Sequence, residues 1–524
     1  MKSTIIKSRI KINLLFIIAF GTVFFSSCTK DFEEINTNPN NPPTTDPNYI
    51  FNYVTKEAAA EYGIYGNYNR TYVQRWVMQT AAVYGNSTMP PYTLFDQYRI
   101  QQLWSYFYTN LGLNNEVLID LTSEDPDDIN KLQAAKIWRA YCFHKVTDLW
   151  GDVPFFKAWG IINDYTPEII RPVYDSQEDI YVSLISDLKD AASKFDPDKS
   201  FFPNDLIFDG DLDLWVKFAN SLRLRLALRS GNQSIINEIL SEDNLISSNE
   251  EGAAFQYIES QNLWSPYYDI HINSVNPNNP DATGTSTTKI SELMYRHLAD
   301  NNDPRLEIYA QPIEIDNSTY KGVPNLMNSS IRENQALGMG VISTSYIGEY
   351  FTRNPLLEKP LLSYAEVCFM RAEIANRNWS SEDAQTWYEA GVASAMEFYD
   401  VEADSITSFL TGAGAYDGSL EQIMTQKWIA MFLDGWEAFA DYRRTGYPQL
   451  MKWDLELDGI KILNQDWVEV PRNYVPGRLP YPDDELDLNT ENYQQAVDNN
   501  GGTDSYYQQV WWSKEFETIN YNTK

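Results

Sequence analysis

Three histidines, three cysteines and 73 carboxylates are the groups in this 524-residue chain from which a reaction centre could be built. They do not assemble into a recognisable one. His144 falls inside an apolar helical stretch. His271 and His297 have no His or Cys at metal-ligand spacing. No Gly-rich phosphate loop and no Gly-x-Ser-x-Gly nucleophile turn occurs. A glycosidase needs two carboxylates at a set separation, but so many acids guarantee a suitable pair by chance. EF-hand spacing is absent too. The expectation is a non-enzymatic protein with no cofactor, in which the wealth of acids leaves only a structural calcium open.

Cys28 is different, because its chemistry is set by what precedes it. Lys2, Lys7, Arg9 and Lys11 give a basic start, and an apolar run follows from Leu14 to Phe25. That run is too short for a membrane span, which needs about 20 residues, and fits the apolar region of a signal peptide. It closes on Ser26-Ser27-Cys28, as in a lipobox, where the thiol is acylated before cleavage. Phe25 is bulkier than the residue usual at that place. The alternative is a plain signal peptide with an incidental cysteine. Acyl chains contribute roughly 0.8 kcal/mol per buried CH₂, so several on one cysteine anchor stably. Lys30-Asp31-Phe32-Glu33-Glu34 is similar to the signal that sends some lipoproteins to the outer face of the outer membrane. The expected organisation is a signal peptide (1–27), an acylated flexible tether (28–46) and one helical domain (47–524).

The net charge of −33 repels phosphates and anionic headgroups, which excludes nucleic acid and polybasic membrane binding. Cys142 and Cys368 lie far apart in apolar helical contexts and read as buried thiols, with a bridge as the alternative in an oxidising compartment. Aromatics are unusually dense, with 15 Trp and 35 Tyr, and much of that must be core. Tyr and Trp also present an apolar face with a polar edge, so loops rich in them are candidate binding surfaces.

The elements that must position such loops are helices. Over 128–150, Leu132, Ala135, Cys142, Val146 and Leu149 share one face and Ala134, Ile137 and Tyr141 another, as in a helix buried between neighbours. Gly151 and Pro154 end it. Residues 175–195 open on a capping box with Asp175 as the cap and continue as Ile180, Leu184, Leu188, Ala191 and Phe195. Trp215, Phe218, Ala219 and Leu222 match the first helix of a tetratricopeptide unit. Over 364–399, Ala372 takes the small place of a first helix. Ala384, Tyr388 and Gly391 then take the places of a second. The array is degenerate, with no strict 34-residue period. The predicted fold class is mostly all-α, a tetratricopeptide-like scaffold with loop-rich insertions at 84–97, 261–287 and 312–355. Long loops in a compact helical domain usually carry function.

Along its length the chain resembles the SusD/RagB nutrient-binding lipoproteins. The matching stretches are Asp31 to Pro39, Arg139-Ala140-Tyr141 with Thr147 to Pro154, Trp215 to Arg225, Asn302-Asp303-Pro304-Arg305, Tyr364-Ala365-Glu366-Val367, Gln426 to Ala430, Asp441 to Pro448 and Arg478 to Pro482. The resemblance implies about four tetratricopeptide-like units and a place outside the outer membrane, as a lid on a SusC-like TonB-dependent transporter. It implies capture of an oligosaccharide, or in some members a peptide, without catalysis. Carried over by position, the family's ligand contacts point to Gln79, Tyr84, Asn86, Tyr92, Trp264, Tyr267 and Tyr268. Ordinary packing is the competing role for each tyrosine. Arg443 and Arg444 read as ion-pair partners of nearby carboxylates. The competing function is a tetratricopeptide scaffold for other envelope proteins, whose helical groove would be left open; the long insertions favour ligand capture.

Overall fold

A computed structural model describes residues 45–59, 63–82, 94–160, 166–260, 263–268, 288–325, 343–450, 455–457, 460–462 and 475–516. Cys28 and the signal and tether regions before residue 45 lie outside the described residues. The chain divides into Met1–Tyr49 and Ile50–Lys524, and the description below concerns the second unit. No helix among the described residues is long and apolar enough to cross a membrane.

The unit is mostly helical, and its helices pack as neighbours in sequence. Helices α1 (Asn114–Ser123), α2 (Ile129–Trp150), α3 (Gln177–Ala192), α4 (Leu212–Arg229) and α5 (Gln233–Glu242) follow one another, each against the next. Helix α6 (Tyr364–Asn376) packs on α7 (Ala384–Glu397), and α8 (Leu420–Ala430) lies against both. Helix α9 (Gly435–Thr445) follows at once. Short antiparallel pairs supply strands. β1 (Thr80–Ala82) pairs with β3 (Thr288–Ile290), and β2 (Ala253–Phe255) pairs with β4 (Lys359–Leu362). A third pair joins Leu455–Leu457 to Ile460–Ile462.

Helix α2 is buried on both of the faces marked by its sequence; of the eight apolar residues above only Leu132 is partly exposed. It ends at Gly151, whose φ of 83° suits glycine and whose amide donates to Thr147 O at 2.7 Å. The start of α3 differs from expectation. Ser176, not Asp175, is the cap, and its hydroxyl accepts from Asp179 N at 3.1 Å. Asp175 is engaged elsewhere: its backbone bridges Val153, and its carboxylate accepts the amides of Phe155 and Phe156. That clamp fixes the connection between α2 and α3, which a capping pattern alone does not reveal.

The tetratricopeptide spacings are realised as helical hairpins. Trp215, Phe218, Ala219 and Leu222 are fully buried along α4. In the α6–α7 pair, a Cβ on Gly391 would stand 3.0 Å from the Phe369 ring, so the two helices approach where a side chain does not fit. Tyr388 is buried and its hydroxyl donates to Gly414 O at 2.8 Å. Ala372 is buried on α6. Cys142 and Cys368 are both buried and unbridged, and burial pushes each thiol up to about 12.

Where α2, α4, α6, α8 and α9 meet, a charged seam replaces apolar contact. Arg229 pairs with Asp148 and Glu437, and Arg225 pairs with Glu366 through Nη2 at 2.6 Å. Lys427 pairs with Asp441 at 2.7 Å, and Arg444 pairs with Glu373 and Asp441. All of these side chains are buried. Arg443 departs from the expected ion pair. Its guanidinium donates to three backbone oxygens, Asp148 O at 2.6 Å, Gly477 O at 2.9 Å and Phe439 O at 3.4 Å. Asn302 to Arg305 is likewise scaffold: Arg305 is fully buried against Asp303 and Gln426.

Candidate ligand-binding face

The three loop-rich stretches are anchored at one place. Ala82 pairs with Thr288 at one end of the β1–β3 ladder, and Thr80 with Ile290 at the other. Residues 83–93 follow β1 and residues 269–287 precede β3 in sequence, and Ala82 and Thr288, the described residues that flank them, sit at the same end of this ladder. The third stretch joins them. Val323 N donates to Ile290 O at 3.0 Å, and Ile290 N donates to Ser345 O at 3.2 Å. Asn325 sends its amide to Thr80 O at 2.7 Å and to Arg75 O at 3.2 Å. The stretch 312–355 is therefore less of a loop than its composition suggests. Its described parts bridge Ser291, Lys289 and Ala310 and include one helical turn, Glu349–Thr352.

Gln79 lies beneath this junction. It is fully buried, and its Nε2 donates to Met431 O at 2.7 Å and Trp428 O at 3.2 Å. Its amide nitrogen is spent on holding β1 to the end of α8, and the structure gives the residue no exposed surface. Lys289 is also buried there. Its Nζ donates to Thr344 O at 2.9 Å and lies over the Tyr346 ring, and burial lowers the group to about 6. Tyr84, Asn86 and Tyr92 lie outside the described residues, as does His271.

Trp264, Tyr267 and Tyr268 occupy one short segment, and the structure separates them. Trp264 and Tyr268 are partly exposed and meet edge to face, with ring centroids 5.5 Å apart at 89°. Tyr267 points inward instead. Its hydroxyl accepts from Gln74 Nε2 at 2.7 Å, and Arg70 lies 6.0 Å from its ring centroid. Ser265 N donates to Pro355 O at 2.7 Å, so the end of the third stretch fixes the segment. Sequence reasoning did not single out Gln74 or Asn69. Both donate to Leu433 O, and Asn69 also accepts from Gly435 N. A Cβ on Gly435 would lie 2.6 Å from Asn69 Oδ1 and 2.7 Å from Gln74 N.

A cleft opens beside Tyr267. Tyr350, Phe351, Phe398, Tyr399 and Phe432 supply aromatic walls, and Glu358, Lys359 and Asp434 supply charges. Reaction chemistry is less evident. Among the described residues no three His, Cys, Asp or Glu side chains are grouped as metal ligands. Burial, with Arg229 next, holds His144 well below its ordinary range, and burial lowers His297 to about 4. Both are neutral imidazoles at pH 7. The arrangement suits recognition: flat rings on a rigid support, with polar groups at the edges.

A helical-hairpin scaffold carrying loops on a common root defines a binding protein of the SusD-like class. Residues 39–482 match SusD-like_2, the family described as starch-binding and associating with the outer membrane, and the chain belongs to that family. No curated protein matches it. Among solved structures, it is similar to a chitin-binding protein at 25% identity and a TM-score of 0.71, over 89% of this chain and 100% of that one. A Bacteroidetes AC2a SusD-like protein aligns at 24% identity and a TM-score of 0.69, over 90% and 100%. A chitin-binding SusD homolog from Flavobacterium johnsoniae aligns at 21% and 0.71, over 89% and 98%.

Proposed function

We propose that this protein captures a glycan outside the outer membrane and delivers it, as a lid, to a SusC-like TonB-dependent transporter, without catalysis. The reading is carried by the shared root of the three loop-rich stretches together with the partly exposed Trp264–Tyr268 pair. A sugar ring offers C–H faces that lie on aromatic rings, while its hydroxyls need polar partners at the ring edges. Membership of a family described as starch-binding supports a carbohydrate ligand. The chitin-binding protein of similar fold supports a polymer of neutral or N-acetylated sugars. In this reading Cys28 carries the lipid and residues up to 46 act as the tether that lets the lid swing.

A glycan array tests the ligand class. Binding to one family of oligosaccharides, lost in Trp264→Ala, is expected. Binding only to peptides would replace the glycan reading. A pull-down from solubilised membranes is expected to recover a TonB-dependent transporter, and recovery of the protein alone would count against the lid. Labelled palmitate should enter the wild-type chain and not Cys28→Ser.

A further inference from the structure

The cleft beside Tyr267 is set apart from the Trp264–Tyr268 pair. Neither Trp264 nor Tyr268 lines it, whereas Tyr267, between them in sequence, does. One short turn thus faces two ways. Its outer rings meet each other at the surface, and its inner ring forms a wall of the cleft.

The cleft walls are rigid. Tyr350 stands 5.1 Å from Tyr399 and 5.4 Å from Phe351, centroid to centroid. Phe351 stands 5.5 Å from Phe432, which stacks on Tyr309 at 4.5 Å. Rings braced edge to face by their neighbours do not collapse inward when a ligand leaves.

The polar lining narrows the occupant. Asn249, Ser265, Ser363 and Ser394 border the cavity along with Glu358 and Asp434. Asn249 and Ser394 bond each other, Ser363 caps α6 and Glu358 accepts from Gln256, yet the two carboxylates keep acceptor sites that a purely apolar guest would strand. A sugar ring would satisfy them and place its faces on Tyr350 or Tyr399. The charge is acidic, since Glu358 and Asp434 outnumber Lys359, and Glu366 is matched by Arg225. Uronates and sulfated sugars are therefore repelled.

We propose that this cleft is a second sugar subsite, taking one neutral ring at the end or branch of a glycan whose next units lie on the Trp264–Tyr268 pair. The proposal rests on the glycan-capture reading and adds to it a place, a charge class and a chain end.

Calorimetry on the acyl-free mature chain tests it, with maltohexaose, chitohexaose, xylohexaose, mannohexaose and a galacturonate trimer as probes. Whichever neutral hexamer binds, Leu357→Trp, which fills the cleft, is expected to weaken it at least about tenfold, the scale of a central contact. Glu358→Gln keeps the shape, removes an acceptor, and is expected to weaken the same hexamer about threefold while lessening the discrimination against galacturonate. Thermal unfolding checks that each variant is folded, and Glu358→Gln stands alone if Leu357→Trp is not. A hexamer bound normally by both folded variants but lost in Trp264→Ala would overturn the subsite and leave glycan capture standing. Preferred binding of galacturonate would overturn the charge assignment and with it the proposal. No binding of any neutral hexamer would overturn capture of these glycans together with the subsite.

Discussion

At the seam between the helical hairpins, buried cations and carboxylates hold the packing together; at the root of the loops, backbone groups do so. In the seam, Arg225, Arg229, Lys427 and Arg444 face Asp148, Glu366, Glu373, Glu437 and Asp441 away from water. At the loop root, strand amides, Asn325 and Gln79 tie three stretches together with few charges. A network of fixed charges tolerates little change, because each unpaired member is stranded in a medium of low polarity. A backbone ladder is indifferent to most side chains, so the loops beyond it can vary with the ligand while their support does not. The contrast predicts that lesions in the seam unfold the protein and lesions on the face disarm it.

The largest effect is expected from breaking the seam. Arg229→Met leaves Asp148 and Glu437 buried without their shared cation and should cost about 3–5 kcal/mol, read as a lower midpoint in urea unfolding. A loss under about 1 kcal/mol would mean that water reaches the seam. Acid attacks the same region through proton linkage. His144 and His297 are held below the ordinary imidazole value by burial, so the unfolded chain binds their protons first. Stability from both groups is present above about pH 6.5 and is lost as pH falls below it, for His297 down to about 4. Burial pushes Glu373 up, but Arg444 beside it overcomes this and holds the carboxyl at about 2. Its contribution persists above about pH 4.5 and fades from there towards pH 2. Melting curves from pH 8 to 3 should fall in that order.

This scaffold was largely legible in the sequence. Apolar spacing located α2, α3 and α4 within a few residues, and the small residues at Ala372 and Gly391 located a hairpin. These signals are local, and helical packing reads them directly. The cap at Ser176 escaped because the carboxylate of Asp175 is claimed by amides 19 and 20 residues away. The seam was visible only as a conspicuous Arg443-Arg444 pair; its partners come from five helices. On the candidate face, the structure leaves Trp264 and Tyr268 partly exposed, but the sequence could not tell that Tyr267 turns inward or that Gln79 is interior. Those outcomes depend on Gln74, Trp428 and Met431, contacts between segments up to 352 residues apart.

Smaller effects separate the two regions further. Gly391→Ala would press a methyl against the Phe369 ring and should cost about 1–3 kcal/mol, the range for overpacking. It should do so without altering glycan affinity, since this hairpin position lies outside the cleft lining. Lys289→Met at the loop root is expected to behave oppositely from Arg229→Met. Burial already lowers this lysine to about 6, so replacing it with an apolar chain of similar length removes a desolvation cost. Its melting temperature should equal or exceed that of the wild type at pH 7; a clear drop would show that the bond to Thr344 O dominates.

The smallest effect on stability, and the sharpest on function, belongs to Trp264→Ala. The ring is partly exposed, so truncation removes little buried surface, and the unfolding midpoint should move by less than about 1 kcal/mol. Tyr268 would lose its edge-to-face partner, worth about 0.5–1.5 kcal/mol at most when such a pair is well buried. Glycan affinity should nonetheless fall about tenfold or more, because a flat ring on a fixed support is where a sugar face finds its contact area. Trp264→Phe restores a ring of smaller area and should recover part of that loss. If alanine and phenylalanine bind alike, the residue only shapes the turn that aims Tyr267 into the cleft. If stability falls as far as in Arg229→Met, the face is as interlocked as the seam, and the division of labour between them fails.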